Sequence, residues 1–259
     1  MLKKPLVLLF AGFMIMFLVA PVLAILPLGF NGGSFLTYPM DGASFRWYKE
    51  ISTSTSWLNA MKNSFLIAIA STCLATILGT LASLGLASKN IAFAGLVKTV
   101  FLLPMVVPAV IMGVGMQIVF SKIGLSSSFL GVVIAHTLVC IPFVLINVLA
   151  SFNNLNPNLM KAASSLGANN FRVFFKVILP LILPGIIAGA VFSFAISLDE
   201  VVITMFIAGP QQWTLALQIF SSLRENISPA VIAAASILIV SMLVLILSSV
   251  LFKRLKQKV

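Results

Sequence analysis

Six stretches of this chain, each longer than the roughly 20 residues needed to cross a bilayer as a helix, carry almost no charge. They run Leu6–Phe30, Ser64–Ala87, Leu96–Phe120, Phe129–Ser151, Leu181–Ala208 and Pro229–Phe252. Lipid offers a peptide group no hydrogen-bond partner, so a spanning segment must be a helix or part of a closed barrel. Barrel strands alternate apolar and polar residues, whereas these runs are apolar on every face. With 61% hydrophobic and 8% charged residues in 259, too little polar surface remains to clothe a water-soluble globule. The sequence therefore predicts an all-α integral membrane protein with six transmembrane helices, a single transmembrane domain over residues 1–259. No segment between the runs is large enough to build a core of its own. The first run, with Lys3 and Lys4 before it, has the outline of a signal peptide. It stays apolar past the usual core length and shows no small-residue cleavage site, which favours a span.

An even number of spans puts both termini on one side, and the positive-inside rule says which. One side collects Lys3, Lys4, Lys89, Lys98, Lys161, Arg172, Lys176, Lys253, Arg254, Lys256 and Lys258, with no acid. The other holds Arg46, Lys49, Lys62, Lys122 and Arg224 beside Asp41, Glu50 and Glu225. The first side is thus expected to be cytoplasmic. The net charge of +11 reads as topology and attraction to lipid headgroups, not as a nucleic-acid surface. Asn31–Asn63 is then an outer loop whose Trp47, Tyr48 and Trp57 suit the headgroup boundary. Gly209–Ser228 is a second outer loop, and its LALQIFSSL stretch suits a half-buried interfacial helix. Lys89–Gly95 and Ser121–Ser128 read as short turns. Cys73 and Cys140 fall inside spans, in no disulfide or metal pattern.

The longest cytoplasmic segment, Phe152 to Pro180, is too polar to span. In NPNLMKAASSLGA, Asn156 can cap a helix, Pro157 suits its first position, and Gly167 offers a stop. NNFRVFFKVILP follows as a second amphipathic stretch ending at Pro180. Ala162, Ala163, Ser164 and Ser165 leave a low surface for a close partner; a loop resting on the bilayer is the alternative.

The spacing of Ala162-Ala163, Gly167, Phe171, Phe174, Ile178, Leu179 and Pro180 resembles the EAA loop of permease subunits in binding-protein-dependent ABC importers. MKNSFLIAIASTCLATILGTLASLGLA and FLLPMVVPAVIMGVGM resemble that family's second and third spans. The resemblance implies a type I importer permease fold with a cytoplasmic coupling helix between the fourth and fifth spans. Lys161, Ala162, Ala163, Ser164, Leu166 and Gly167 would form the contact with the ATPase. It further implies two cytoplasmic ATPase subunits carrying ATP and magnesium, a second permease subunit, and a periplasmic or surface substrate-binding protein. The mechanism would be alternating access. Lys161 stands where the family usually has Glu, so its contact needs a compensating acid or a stronger contact on the other permease.

Two acids lie within the runs, adjacent in AISLDEVVITMFIAGP. An ionised side chain at membrane depth costs several kcal/mol, so Asp199 and Glu200 should face protein or a water-filled path. Either they attract a cationic substrate, or neighbouring helices or a helix interruption near Ser197 satisfy them. This stretch resembles the corresponding span of spermidine and putrescine permeases, which places a polyamine first among expected substrates. Ferric iron, thiamine and phosphonate relatives have similar spans. Phe194 and Phe206 could offer a polyamine an aromatic wall or simply pack. Met105, with Pro108, Gly113 and Gly115, could line the path on an irregular helix or pack closely. His136, Gln117 and Asn147 read as hydrogen-bonding residues between helices, and His136 has no second ligand spaced beside it for a metal.

No GxxxxGK[ST] stretch occurs, so no nucleotide site is expected on this chain, which reads as a transport subunit and not an enzyme. A membrane enzyme would need a cluster of reactive groups, and an ion-coupled carrier would show paired interrupted helices in two halves.

Overall fold

The structure is a computed structural model describing residues 3–87, 93–225 and 227–256. All six apolar runs are helical, and the chain divides into two compact units, Met1–Leu58 with Gln218–Ser241, and Asn59–Leu217 with Met242–Val259. Leu6–Phe30, Thr55–Ala87, Phe129–Asn153 and Asn170–Asp199 are long and apolar enough to cross a membrane.

In the first unit, α1 (Lys3–Ile25) passes into a short 3-10 turn, Leu26–Phe30. Helix α2 (Arg46–Thr53) follows a loop built around Asn31, which is fully buried. The Asn31 side chain donates to the Phe35 carbonyl at 2.8 Å and accepts from the amides of Asp41 at 2.8 Å and Gly33 at 3.2 Å. Its carbonyl accepts from the Trp47 indole at 2.8 Å. Trp47 is consequently a core residue, 5% exposed, in place of the headgroup anchor expected of it, and Trp57 is buried too, at 7%. An indole satisfied by a local carbonyl gains more from burial than from the interface. Between Asn31 and Arg46 the exposed aromatics are Phe35, Tyr38 and Phe45. Tyr48 packs on Phe30 and shares a hydrogen bond with Ser236 of the long C-terminal helix. The expected outer loop Asn31–Asn63 is thus shorter than the sequence suggested, since a helix already begins at Thr55.

The second unit holds most of α3 (Thr55–Ala87), then α4 (Ala94–Val106), α5 (Ala109–Lys122) and α6 (Phe129–Asn153). The third apolar run is not one straight span: α4 and α5 meet at 105° across Val107–Pro108. Pro108 has no amide hydrogen and forces the residue before it out of helical geometry, and Val107 is extended. Helix α7 (Pro157–Ser165) is followed by a continuous run comprising α8 (Asn170–Val173), a π-helical turn (Phe174–Ile178) and α9 (Leu179–Asp199). In the π turn the Leu179 amide reaches back to the Phe174 carbonyl. The widened turn lies where the Pro180 ring would press on the Lys176 carbonyl. The fifth run also breaks: α9 stops at Asp199 and a separate short helix, α10 (Val202–Ile207), resumes after Glu200–Val201. Helix α11 (Leu215–Glu225) contains the expected LALQIFSSL helix and buries Leu215, Ala216 and Leu217. The last helix, α12 (Pro229–Lys256), carries a 17-residue apolar stretch, Pro229–Leu245.

Helix α9 lies along α6 through a ladder of small residues four apart, Gly185, Gly189, Ser193 and Ser197, all buried. A Cβ on Gly189 would stand 2.8 Å from the Val144 Cα, and one on Gly185 would stand 2.6 Å from the Asn147 carbonyl oxygen. Such close backbone approach is how membrane helices gain dispersion contact without a hydrophobic driving force. Cys140 and Ser193 exchange hydrogen bonds, each side chain donating to the other's carbonyl at 3.2 Å. A second Gly contact, Gly79 against Val144, brings α3 onto the same face of α6.

Candidate functional site

The break between α9 and α10 lies beside four buried polar side chains, Ser71, His136, Ser197 and Thr204. Asp199 ends α9 with an exposed side chain; Glu200, half-buried, turns back. In an unbroken helix the Ile203 amide would bond the Asp199 carbonyl. Here it donates to Glu200 Oε1 at 2.9 Å, so the Glu200 carboxylate caps the first turn of α10. The two acids thus do different things: one closes a helix start, the other remains at a helix end.

His136 of α6 sits across the break, 1% exposed. Its Nδ1 is 2.8 Å from Ser197 Oγ on α9, and its Nε2 is 2.8 Å from Thr204 Oγ1 on α10. Thr204 spends its hydroxyl hydrogen on the Glu200 carbonyl at 2.9 Å, which leaves its oxygen to accept from Nε2–H. A neutral ring then accepts at Nδ1 from Ser197. Ser197 also lies 3.0 Å from Ser71 of α3. His136 therefore hydrogen-bonds between helices, as its sequence context indicated.

On its other sides α10 is held closely. Phe206 lies over Gly113 of α5, where an added Cβ would come within 2.5 Å of its ring. The Ile207 carbonyl accepts from the Ser127 amide at 2.9 Å. Beyond α10, Asn63 donates to the carbonyls of Gln211 at 2.8 Å and Trp213 at 3.0 Å, and Ser64 accepts from the Leu215 amide at 2.7 Å.

The other expected path residues are dispersed. Phe194 is half-buried, its ring 6.4 Å from that of Phe65, while Phe206 packs in the cluster around Ile203 and Val132. Met105 is half-exposed on α4, just before the α4–α5 break. Gln117 accepts from Ser126 at 3.0 Å, and Asn147 bonds within its own helix to Phe143.

The expected coupling segment forms a discrete helix. Asn156 caps α7 by accepting from the Asn158 amide at 3.0 Å, and Pro157 opens it. Gly167, at φ +81°, ends it with a paired backbone closure: Ala168 N–H to Ala163 O at 3.1 Å and Gly167 N–H to Ser164 O at 3.0 Å. Leu166 projects, 88% exposed, as does Phe171, whose ring meets Phe175 at 4.4 Å. Ala162 and Ser164 are exposed and Ala163 half-buried. Lys161 belongs to α7 by its backbone. Its side chain, with those of Lys3, Lys4, Lys253, Arg254 and Lys256, and all of Lys89 and Lys258, lies outside the described residues.

Residues 75–258 match the family described as binding-protein-dependent transport system inner membrane component. The chain belongs to this family. Among curated relatives, it is 32% identical to the spermidine/putrescine transport system permease protein PotC of Escherichia coli (strain K12), over 93% of this chain and 91% of that one. It is 31% identical to the putrescine permease PotI of the same strain, over 86% and 82%. A sulfate permease, CysT, is 29% identical over 83% of each chain. Among solved structures, a bacterial ABC transporter for alginate import superimposes with a TM-score of 0.70 at 16% identity, over 97% of this chain and 96% of that one. The MetNI methionine transporter gives 0.67 at 15% identity, over 76% and 94%. The fold is that of a type I importer permease, and this inner-membrane, multi-pass family member is a transport component, not an enzyme.

Proposed function

We propose that this permease family member forms half of the translocation path of an ATP-driven importer for a small polycation, a polyamine such as spermidine or putrescine. The observation that carries the reading is the division of labour at the α9 break. Glu200 is engaged in capping α10, whereas Asp199 is exposed at the carbonyl end of α9. A helix C-terminus contributes roughly half a negative charge, which adds to the Asp199 carboxylate and favours an ammonium group nearby. PotC and PotI, named for polyamine transport, support the same substrate class.

The remaining parts of the machine follow from the family. The whole chain acts as one permease domain with both termini cytoplasmic. Helix α7, with Lys161, Ala162, Ala163, Ser164, Leu166 and Gly167, receives motion from one of two ATPase subunits that bind ATP and magnesium. A second permease subunit completes the path, and a substrate-binding protein delivers from outside. Asp199 and Glu200 stand nearest the charge of the path, with Met105, Phe194 and Phe206 contributing apolar surface. Its second reading is the same importer serving another solute, favoured by the resemblance to the sulfate permease; ferric iron, thiamine and phosphonate belong to it.

The test is uptake by the assembled transporter in proteoliposomes, with binding of polyamines, ferric iron, thiamine, phosphonate and sulfate to its binding protein measured in parallel. Polyamine uptake that falls about tenfold in Asp199→Asn, at normal membrane abundance, supports the reading. Polyamine uptake indifferent to that change removes Asp199 from the path, and preference for an anion overturns the substrate class.

A further inference from the structure

We propose that His136 is a positioning residue: one imidazole latches α9 to α10 across the break and thereby fixes where the Asp199 carboxylate points. This rests on the reading of Asp199 as a path-facing group, but the latch itself rests on geometry alone. Ser197, two residues before Asp199, and Thr204, five after it, are both 2.8 Å from ring nitrogens of His136. Thr204 also ties back to the Glu200 carbonyl at 2.9 Å, and Glu200 to the Ile203 amide at 2.9 Å. These links from Ser197 to Thr204 pass through side chains, and among the described residues the imidazole is the side chain that bonds α9 at Ser197 and α10 at Thr204 together.

Burial gives these links their weight. Ser197, Thr204 and His136 are at most 2% exposed, so none can exchange a lost partner for water without rearrangement. A flat ring with nitrogens on two edges holds its two partners at a set separation, which a flexible side chain would not. Helix α10 is fixed elsewhere by Gly113 and Ser127, so loosening the latch should release the linker, Asp199–Val201, and not the whole element. Asp199 would keep its charge and lose its direction.

The experiment compares wild type with His136→Leu, His136→Asn, Ser197→Ala and Thr204→Val in the assembled transporter in nanodiscs. It reads hydrogen exchange of peptides covering 197–206 and the KM for polyamine uptake. Asn keeps an amide near Nδ1, so His136→Asn retains the Ser197 contact and should partly rescue. We expect exchange about tenfold faster at 197–206 in His136→Leu, with peptides from α3 and α12 unchanged. Thr204→Val and Ser197→Ala should be intermediate, and KM should rise with turnover nearly unchanged. Unchanged local exchange, or a uniform rise throughout the chain, overturns the latch, leaving His136 as core packing. Faster local exchange with unaltered KM upholds the latch and instead overturns Asp199 as a path residue. Should His136→Leu fail to assemble, the two hydroxyl variants decide the matter.

Discussion

Replacing Gly189 by Ala should loosen the α6–α9 pair although it adds one methyl group to a helix in an apolar setting. The new Cβ would lie 2.8 Å from the Val144 Cα and 3.4 Å from its Cβ. Carbon atoms pack best at about 3.5–4.0 Å, so the intrusion is close to 1 Å and falls on backbone, where no rotamer change relieves it. Overpacking of this kind costs about 1–3 kcal/mol. The better helix propensity of Ala returns up to about 1 kcal/mol. Net destabilisation of about 1–2 kcal/mol is expected. Gly115 on α5 has nothing within 4 Å of its added Cβ, so Gly115→Ala keeps the propensity gain and avoids the clash. The two variants should move in opposite directions in denaturant titrations of the purified full chain in mixed micelles. Equal stability of the pair, or a gain for Gly189→Ala, would refute the argument that close backbone approach holds α9 on α6.

At Gly167, φ is +81° with open space around the Cα, so Val there is strained by about 1–2 kcal/mol without any clash, whereas Asn tolerates the conformation. Gly167→Val should lower uptake per ATP hydrolysed in vesicles while membrane insertion persists, with Gly167→Asn close to wild type. Asn63→Ala removes two hydrogen bonds to the loop carbonyls of Gln211 and Trp213. Limited proteolysis should then cut within Gly209–Trp213 up to about thirtyfold faster, since each of the two bonds contributes roughly 1 kcal/mol. Asn31→Ala leaves the amides of Gly33 and Asp41 without their side-chain acceptor. Trp47 fluorescence should report unfolding of that loop at lower temperature than in wild type.

What could be read from the sequence divides by the range of the interaction. The cap at Asn156, the start at Pro157 and the stop at Gly167 were legible because each is satisfied within a few residues. The bend at Val107–Pro108 carried its own marker, a proline, but apolar content on both sides concealed that two helices meet there. The break at Glu200–Val201 has no Gly or Pro at all. A carboxylate capping three residues ahead, within local range but without a Gly or Pro to mark it, and a histidine 64 positions upstream of Glu200, beyond any local pattern, hold it. The four-residue ladder Gly185, Gly189, Ser193 and Ser197 was present in the sequence as a small-residue repeat, the available sign that α9 packs closely, and went unread. Trp47 is ambiguous for a physical reason: an indole suits both a headgroup boundary and a core that supplies a carbonyl, and Asn31 supplies one.

The pattern of polar groups at the break gives the substrate argument its direction. Ser71, Ser197, His136 and Thr204 are spent on one another, and Glu200 on the amide of Ile203. The hydroxyl and imidazole ties offer a passing solute little charge contrast, and the Glu200 carboxylate is turned to the amide that it caps. Asp199 adds its charge to the negative end of α9. A sulfate dianion would meet repulsion there, and a diamine or triamine attraction. On the proposed reading, a shared permease fold would serve anions in one relative and polyamines in another without altering the helix packing, because a carboxylate at a helix end would set the sign, while the hydroxyl and imidazole groups behind it would set the aim.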